Sequence, residues 1–150
     1  MGVAFAQAGY RTLLADVNLD APVQDRLFRL SNRVGVSGLL SSDGDERAAV
    51  QESPIANLSV LTTGPAVPNV LELYDRGRLF QRLRPLSTAF DMVLVDASAG
   101  DAAAIAACEG VDAVLLVLKT KVTRLASVRR MSESLRARGA MILGSVLTGG

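Results

Sequence analysis

The sequence predicts an α/β domain, a mainly parallel β-sheet flanked by helices, and three observations carry that prediction. Short apolar runs alternate with helical patterns along the chain. The runs are near-continuous in aliphatic residues, as strands buried on both faces require. Two of them stop at a carboxylate: Gly9-Tyr-Arg-Thr-Leu-Leu-Ala-Asp16-Val-Asn18-Leu-Asp20 and Phe90-Asp-Met-Val-Leu-Val-Asp96. A strand that ends on an acid delivers charge to the carboxyl edge of a parallel sheet, where ligands bind. The pair therefore predicts one magnesium–nucleotide site.

Met1 to Ala8 is small and apolar and ends at Gly9, the pattern of a helix closed by a glycine at its C′ position. Strands follow at Thr12–Val17, Leu58–Thr63, Met92–Asp96, Ala113–Leu118 and Met141–Leu147. Between the first two, residues 21–53 carry Pro22, Gly35, Gly38 and Asp43-Gly44-Asp45, which break the segment into short helices and turns. Asn69 to Leu83 reads as a helix weakened by Gly77, and Asp101 to Cys108 as a short alanine-rich one. The clearest helical period runs from Thr123 to Arg138. It lines up Leu125, Val128, Met131 and Leu135, places the arginines and Glu133 elsewhere, and stops at Gly139, so an amphipathic helix packed on a sheet is expected. No repeat, linker or low-complexity tract interrupts the series, and a single domain over residues 1–150 with βαβ connectivity is expected.

Composition removes several classes of chemistry. With 49% hydrophobic residues in 150, the chain can bury a core. A formal net charge of +1 supplies no global field for nucleic acid or acidic lipid, and 4% aromatics leave few stacking platforms. There is no histidine and one cysteine, Cys108, so zinc fingers, Ser/His/Asp triads, Cys/His nucleophiles and disulfide frameworks are excluded. No apolar run approaches the ~20 residues that span a bilayer. Nucleic-acid binding and direct membrane insertion are not expected.

With those strands and acids in place, the chain resembles the bacterial tyrosine kinases of capsule and exopolysaccharide synthesis, within the MinD/ParA-type P-loop ATPases. In that family a strand ends in D-x-D-L-R and is followed by a proline, R-L-F and a G-L-S-x-L-L turn. The corresponding residues are Asp16-Val-Asn18-Leu-Asp20, Pro22, Arg26-Leu27-Phe28 and Gly35-Val-Ser37-Gly-Leu39-Leu40. Leu58 to Pro65 and Pro68-Asn69-Val-Leu-Glu72-Leu73 are similar to the family's next strand, its G-x-x-P-P-N-P-x-E-L-L segment and the helix after it. Phe90 to Asp96 is similar to its Y-D-x-V-I-x-D strand, and Val111 to Val117 with Thr123 to a later strand and loop. Asp96-Ala-Ser-Ala-Gly100 is similar to the D-x-P-A-G shared by the wider ATPase group. The ordered series covers nearly the whole chain.

The resemblance implies an ATP-dependent tyrosine autokinase with ATP and Mg2+ as cofactors. Asp16 would assist catalysis and hold the metal's water shell, Asp96 would be the magnesium-linked acid, and Asn18 would touch the cofactor. It further implies a cytoplasmic homo-oligomer, peripheral to the inner membrane through its partner, a membrane polysaccharide chain-length regulator or kinase activator. Two departures matter. Asn18 stands where the motif has a carboxylate, so it can bond a water but not serve as a base, and Asp20 stands where an arginine would meet phosphate. In addition, no G-x-x-x-x-G-K-[ST] occurs in these residues. In the family that loop lies just before the helix that ends in Met1–Ala8. The expectation is thus a P-loop-type sheet lacking its first strand and phosphate loop, inactive by itself, with an unpaired edge on Met92–Asp96. The alternatives are a MinD/ParA-type ATPase and a non-catalytic module that docks on a kinase or on the export machinery.

The remaining features are read as structural. The arginines of Arg124 to Arg138 form a solvated face, and Lys119 and Lys121 a surface turn. Cys108 is a small core residue, and Tyr10 and Tyr74 are packing residues.

Overall fold

The computed structural model describes residues 1–41, 45–67, 78–98, 105, 107, 108 and 110–149. Helix α1 (Gly2–Gln7) ends as the glycine pattern requires, with Gly9 at φ +93°, a left-handed turn that a side chain would strain. Strand β1 (Thr12–Asp16) follows. Three short helices, α2 (Gln24–Phe28), α3 (Val36–Ser41) and α4 (Glu46–Ala49), occupy the turn-rich segment. Strands β2 (Gln51–Glu52) and β3 (Leu58–Leu61) come next, then helix α5 (Arg78–Leu83), a 3-10 turn over Arg84–Thr88 and strand β4 (Met92–Asp96). Strand β5 (Val114–Lys119), helix α6 (Leu125–Ala137) and strand β6 (Ile142–Thr148) complete the order.

The sheet order is β2-β3-β1-β4, with β3 and β4 both parallel to β1 and only the two-residue β2 antiparallel. Strand β1 is therefore central, and its buried residues alternate between faces as a pleat requires. Leu13, Ala15 and Val17 enter one core with Val36, Leu39, Leu40, Leu61, Leu83 and Leu86. Leu14 packs on the opposite face with Ala6, Leu58 and Val60 under α1. A mainly parallel α/β sheet flanked by helices, as the apolar strands predicted, is what forms.

The second half differs from the expectation in two ways. Strands β5 and β6 pair in parallel with each other as a separate two-stranded sheet, while among the described residues β4 pairs only with β1, the unpaired edge expected on Met92–Asp96. Helix α6 buries its apolar stripe at one end only: Leu135 is 1% exposed, whereas Leu125 at the start is 67% exposed. The periodicity was real but the surface it should cover is not there at its first turn. The two parts meet where Gly110, at φ +85°, lies so close to Phe80 of α5 that a Cβ would sit 2.6 Å from the ring. The expected helix of residues 69–83 is seen as α5 from Arg78 on, its earlier part, with Tyr74, lying outside the described residues, as does most of residues 101–108. Strand β2 and the 3-10 turn had no sequence signal, being a two-residue ladder and a tight turn opened by Pro85.

Tyr10 is half exposed but meets Phe5 edge to face, with ring centroids 6.1 Å apart. Lys119, Lys121 and the arginines of α6 are exposed, as a solvated surface. Cys108 is half-buried, and that burial pushes its thiol pKa up, which suits a packing residue better than a reactive one. Among the described residues no helix is long and apolar enough to cross a membrane.

Candidate functional site

Asp16 and Asp96 are register partners at the carboxyl ends of β1 and β4. Parallel pairing extends one step beyond them, since the Val17 N–H donates to the Asp96 carbonyl at 2.9 Å. Two strands that each end on an acid therefore bring both acids to one edge, side by side. The opposite edge is fastened by different chemistry. Arg11, just before β1, grips Asp91, just before β4, through Nη2 to Oδ1 at 2.6 Å and Nε to Oδ2 at 3.1 Å. The Asp91 carboxyl is held down to about 2 by hydrogen bonds from the Arg11 side chain and backbone and by its charge.

The two site acids have unlike environments. Asp16 is fully buried, and both its oxygens are engaged by backbone donors: the Asn18 N–H on Oδ1 at 3.1 Å, and the Val23 and Gln24 N–H groups on Oδ2 at 3.3 and 3.1 Å. Val23 is the N-cap of α2 and makes no side-chain cap of its own, so Asp16 satisfies two N–H groups that the helix start leaves orphaned. Burial pushes the Asp16 pKa up; the three backbone donors oppose this, and the charge of Asp96 adds to it. Asp96 is only half-buried. The Gln24 side-chain amide donates to its Oδ2 at 2.6 Å, and among the described residues Oδ1 takes no hydrogen bond. Asn18 lies in the same loop, where its Oδ1 accepts from the Ala21 N–H at 3.2 Å and closes the turn.

The third strand end at this edge is also rigid. Past β3, Thr62 and Thr63 are buried, and the first residues of α3 are hydrogen-bonded to them through Val36 N–H to Thr62 O and Ser37 N–H to Thr63 O. Asn32 Oδ1 accepts from the Gly64 N–H at 2.7 Å. A Cβ on Gly35 would collide with the Thr62 carbonyl and the Gly64 nitrogen, so the two loops touch backbone to backbone.

Gln24 is the residue that sequence reading missed. It lies eight positions after Asp16, and no motif marks it. Only the fold of the Asn18–Val23 loop brings its backbone to one acid and its side chain to the other.

No group of three or more His, Cys, Asp or Glu that could hold a metal occurs among the described residues. Magnesium does not need one, because it keeps several waters and binds through one or two carboxylates. An acid whose Oδ1 takes no hydrogen bond among the described residues, beside a second, buried carboxyl group, fits that ion.

No family model matches the chain. Its sequence is 32% identical to the tyrosine-protein kinase YwqD of Bacillus subtilis, over 99% of this chain and 64% of that protein. Among solved structures, the kinase domain of the Escherichia coli tyrosine kinase ETK superposes with a TM-score of 0.91 at 27% identity, over 99% of this chain and 59% of that one. The cell-division ATPase MinD of Pyrococcus furiosus superposes with a TM-score of 0.83 at 24% identity, over 97% of this chain and 62% of that one. A parallel sheet with acids at the ends of adjacent strands, superposable on MinD, defines a P-loop ATPase fold of MinD/ParA type. Within it, the chain is similar along its length to bacterial tyrosine-protein kinases, YwqD in sequence and the ETK kinase domain in structure. It spans just under two thirds of the length of YwqD.

Proposed function

We propose that this chain is the acid-bearing part of an ATP-dependent protein-tyrosine autokinase that regulates capsule or exopolysaccharide synthesis and export. The observation that carries the reading is the side-by-side placement of Asp16 and Asp96 at the carboxyl edge, in a chain related along its length to tyrosine kinases. ATP with magnesium would supply the phosphoryl group and neutralise its charge, chemistry in which the protein's part is positioning. Asp96 would hold the cation's water shell through its open oxygen. Asp16 would act from behind it, keeping a second negative charge under the site and fixing the loop that carries Asn18 and Gln24. The kinase would work in the cytoplasm as a homo-oligomer beside a membrane chain-length regulator or activator.

A second reading is a non-catalytic module that docks on a kinase or on the export machinery. Three observations favour it: an amide at Asn18, an acid at Asp20, and Asp16 oxygens already engaged by backbone donors. Calorimetry with ATP and magnesium, and a phosphotyrosine assay, separate the two. Because the 150 residues contain no glycine-rich lysine loop, the chain by itself should bind weakly or not at all and show no autophosphorylation. If the gene encodes a phosphate loop upstream of Met1, a product that includes it should bind ATP–magnesium and autophosphorylate on tyrosine, and Asp96→Asn should abolish both. Nucleotide binding and phosphotyrosine unaffected by Asp96→Asn would reject the kinase assignment of this edge.

A further inference from the structure

We infer that Gln24 is a positioning residue for Asp96, holding one oxygen of that carboxylate so that the other faces a divalent cation. The inference rests on the reading of Asp96 as the cation-linked acid.

A carboxylate at a strand end is free to rotate about its last bond, and a cation that keeps most of its waters exerts little pull on that rotation. Orientation has to come from a neighbour. Asp96 has such a neighbour: the Gln24 amide donates to Oδ2 at 2.6 Å. Gln24 can do this because its own backbone is fixed. Its N–H is bound to the buried Asp16, and it is the first residue of α2, whose last turn closes with the Leu30 N–H on the Asp25 carbonyl at 2.8 Å. One residue thereby ties the two acids together, by its main chain on one side and its side chain on the other. A neutral donor also suits the task. A lysine or arginine here would neutralise Asp96 and oppose the cation, whereas an amide orients the carboxylate and leaves its charge in place.

The test uses the protein labelled with 13C at the aspartate carboxyl carbons and titrated with Mn2+ alone. The Asp96 resonance is assigned by its loss in Asp96→Asn. Paramagnetic broadening of that resonance should need roughly tenfold more Mn2+ in Gln24→Met than in the unsubstituted protein, the scale on which orienting partners of metal ligands act. The thermal melt should hardly move, because methionine keeps the backbone N–H on Asp16. Gln24→Asn, with its amide on a shorter stem, should behave like Gln24→Met. Broadening at the same Mn2+ concentration in the unsubstituted protein and in either variant would overturn the inference and leave the site reading intact. An Asp96 resonance that Mn2+ never broadens in the unsubstituted protein would overturn both.

Discussion

At the scale of single residues, the two acids are chemically distinct, and their variants should fail differently. Asp16 is a buried acceptor for three backbone N–H groups, so Asp16→Ala leaves donors unsatisfied and should cost about 2–4 kcal/mol in denaturant unfolding. Asp96→Asn removes charge from a half-buried site without touching the backbone and should leave stability within about 0.5 kcal/mol. A matching loss in both would mean that Asp96 is as structural as Asp16. Asp91 permits a prediction in pH. Its folded pKa of about 2 lies below the ordinary carboxylate value, so its stabilising contribution is present above the unfolded pKa and lost as pH falls through about 2. The denaturation midpoints of the protein and of Asp91→Asn should differ at pH 7 and converge near pH 2. Because the pair is exposed, molar salt should narrow the gap as well.

At the scale of elements, the loop before α3 and the end of β3 act as one block. Their backbones are in contact at Gly35, where there is no room for a methyl group. Gly35→Ala should therefore destabilise the fold by about 1–3 kcal/mol, measured by chemical denaturation, because the Thr62 carbonyl and the Gly64 nitrogen it meets are backbone atoms that cannot swing aside. Helix α6 is the opposite case. Leu125 is exposed although it belongs to the apolar stripe, and Leu135 is buried. Leu135→Ala should cost about 2–5 kcal/mol and Leu125→Ala almost nothing, a contrast that the stripe alone would not forecast.

At the scale of the whole molecule, pairing is incomplete. Among the described residues β4 pairs on one side only, and β5 and β6 pair only with each other. Strand β6 carries no charged residue, and Leu143 and Leu147 on it are each 69% exposed. Long uncharged edges are templates for further pairing, and a two-stranded sheet is marginal alone. The 150-residue chain should self-associate in sedimentation velocity, and Leu147→Lys should reduce that association. If the gene encodes an apolar strand upstream of Met1, including it should raise the melting temperature. A monomeric, cooperative melt of residues 1–150 that such an extension leaves unchanged would mean that these edges need no partner.

Strand identity and the acids were legible from residues alone, because both are local. A short, β-branched and leucine-rich run such as Met92-Val-Leu-Val-Asp96 suits a strand of a parallel sheet, and its last residue marks the carboxyl edge. Gly9 and Gly139, both left-handed, ended their helices where the pattern placed them. What tertiary structure alone decided is everything that depends on which surfaces meet. It set β5 and β6 apart as their own sheet among the described residues, left Leu125 exposed, and gave Asp16, which the resemblance cast as a catalytic and metal-linked acid, three backbone donors. It also brought Gln24 to Asp96, across 72 positions of chain. Propensity and periodicity are properties of a residue and its near neighbours. A carboxylate's partners, and hence its charge and orientation, belong to groups that folding brings from elsewhere in the chain.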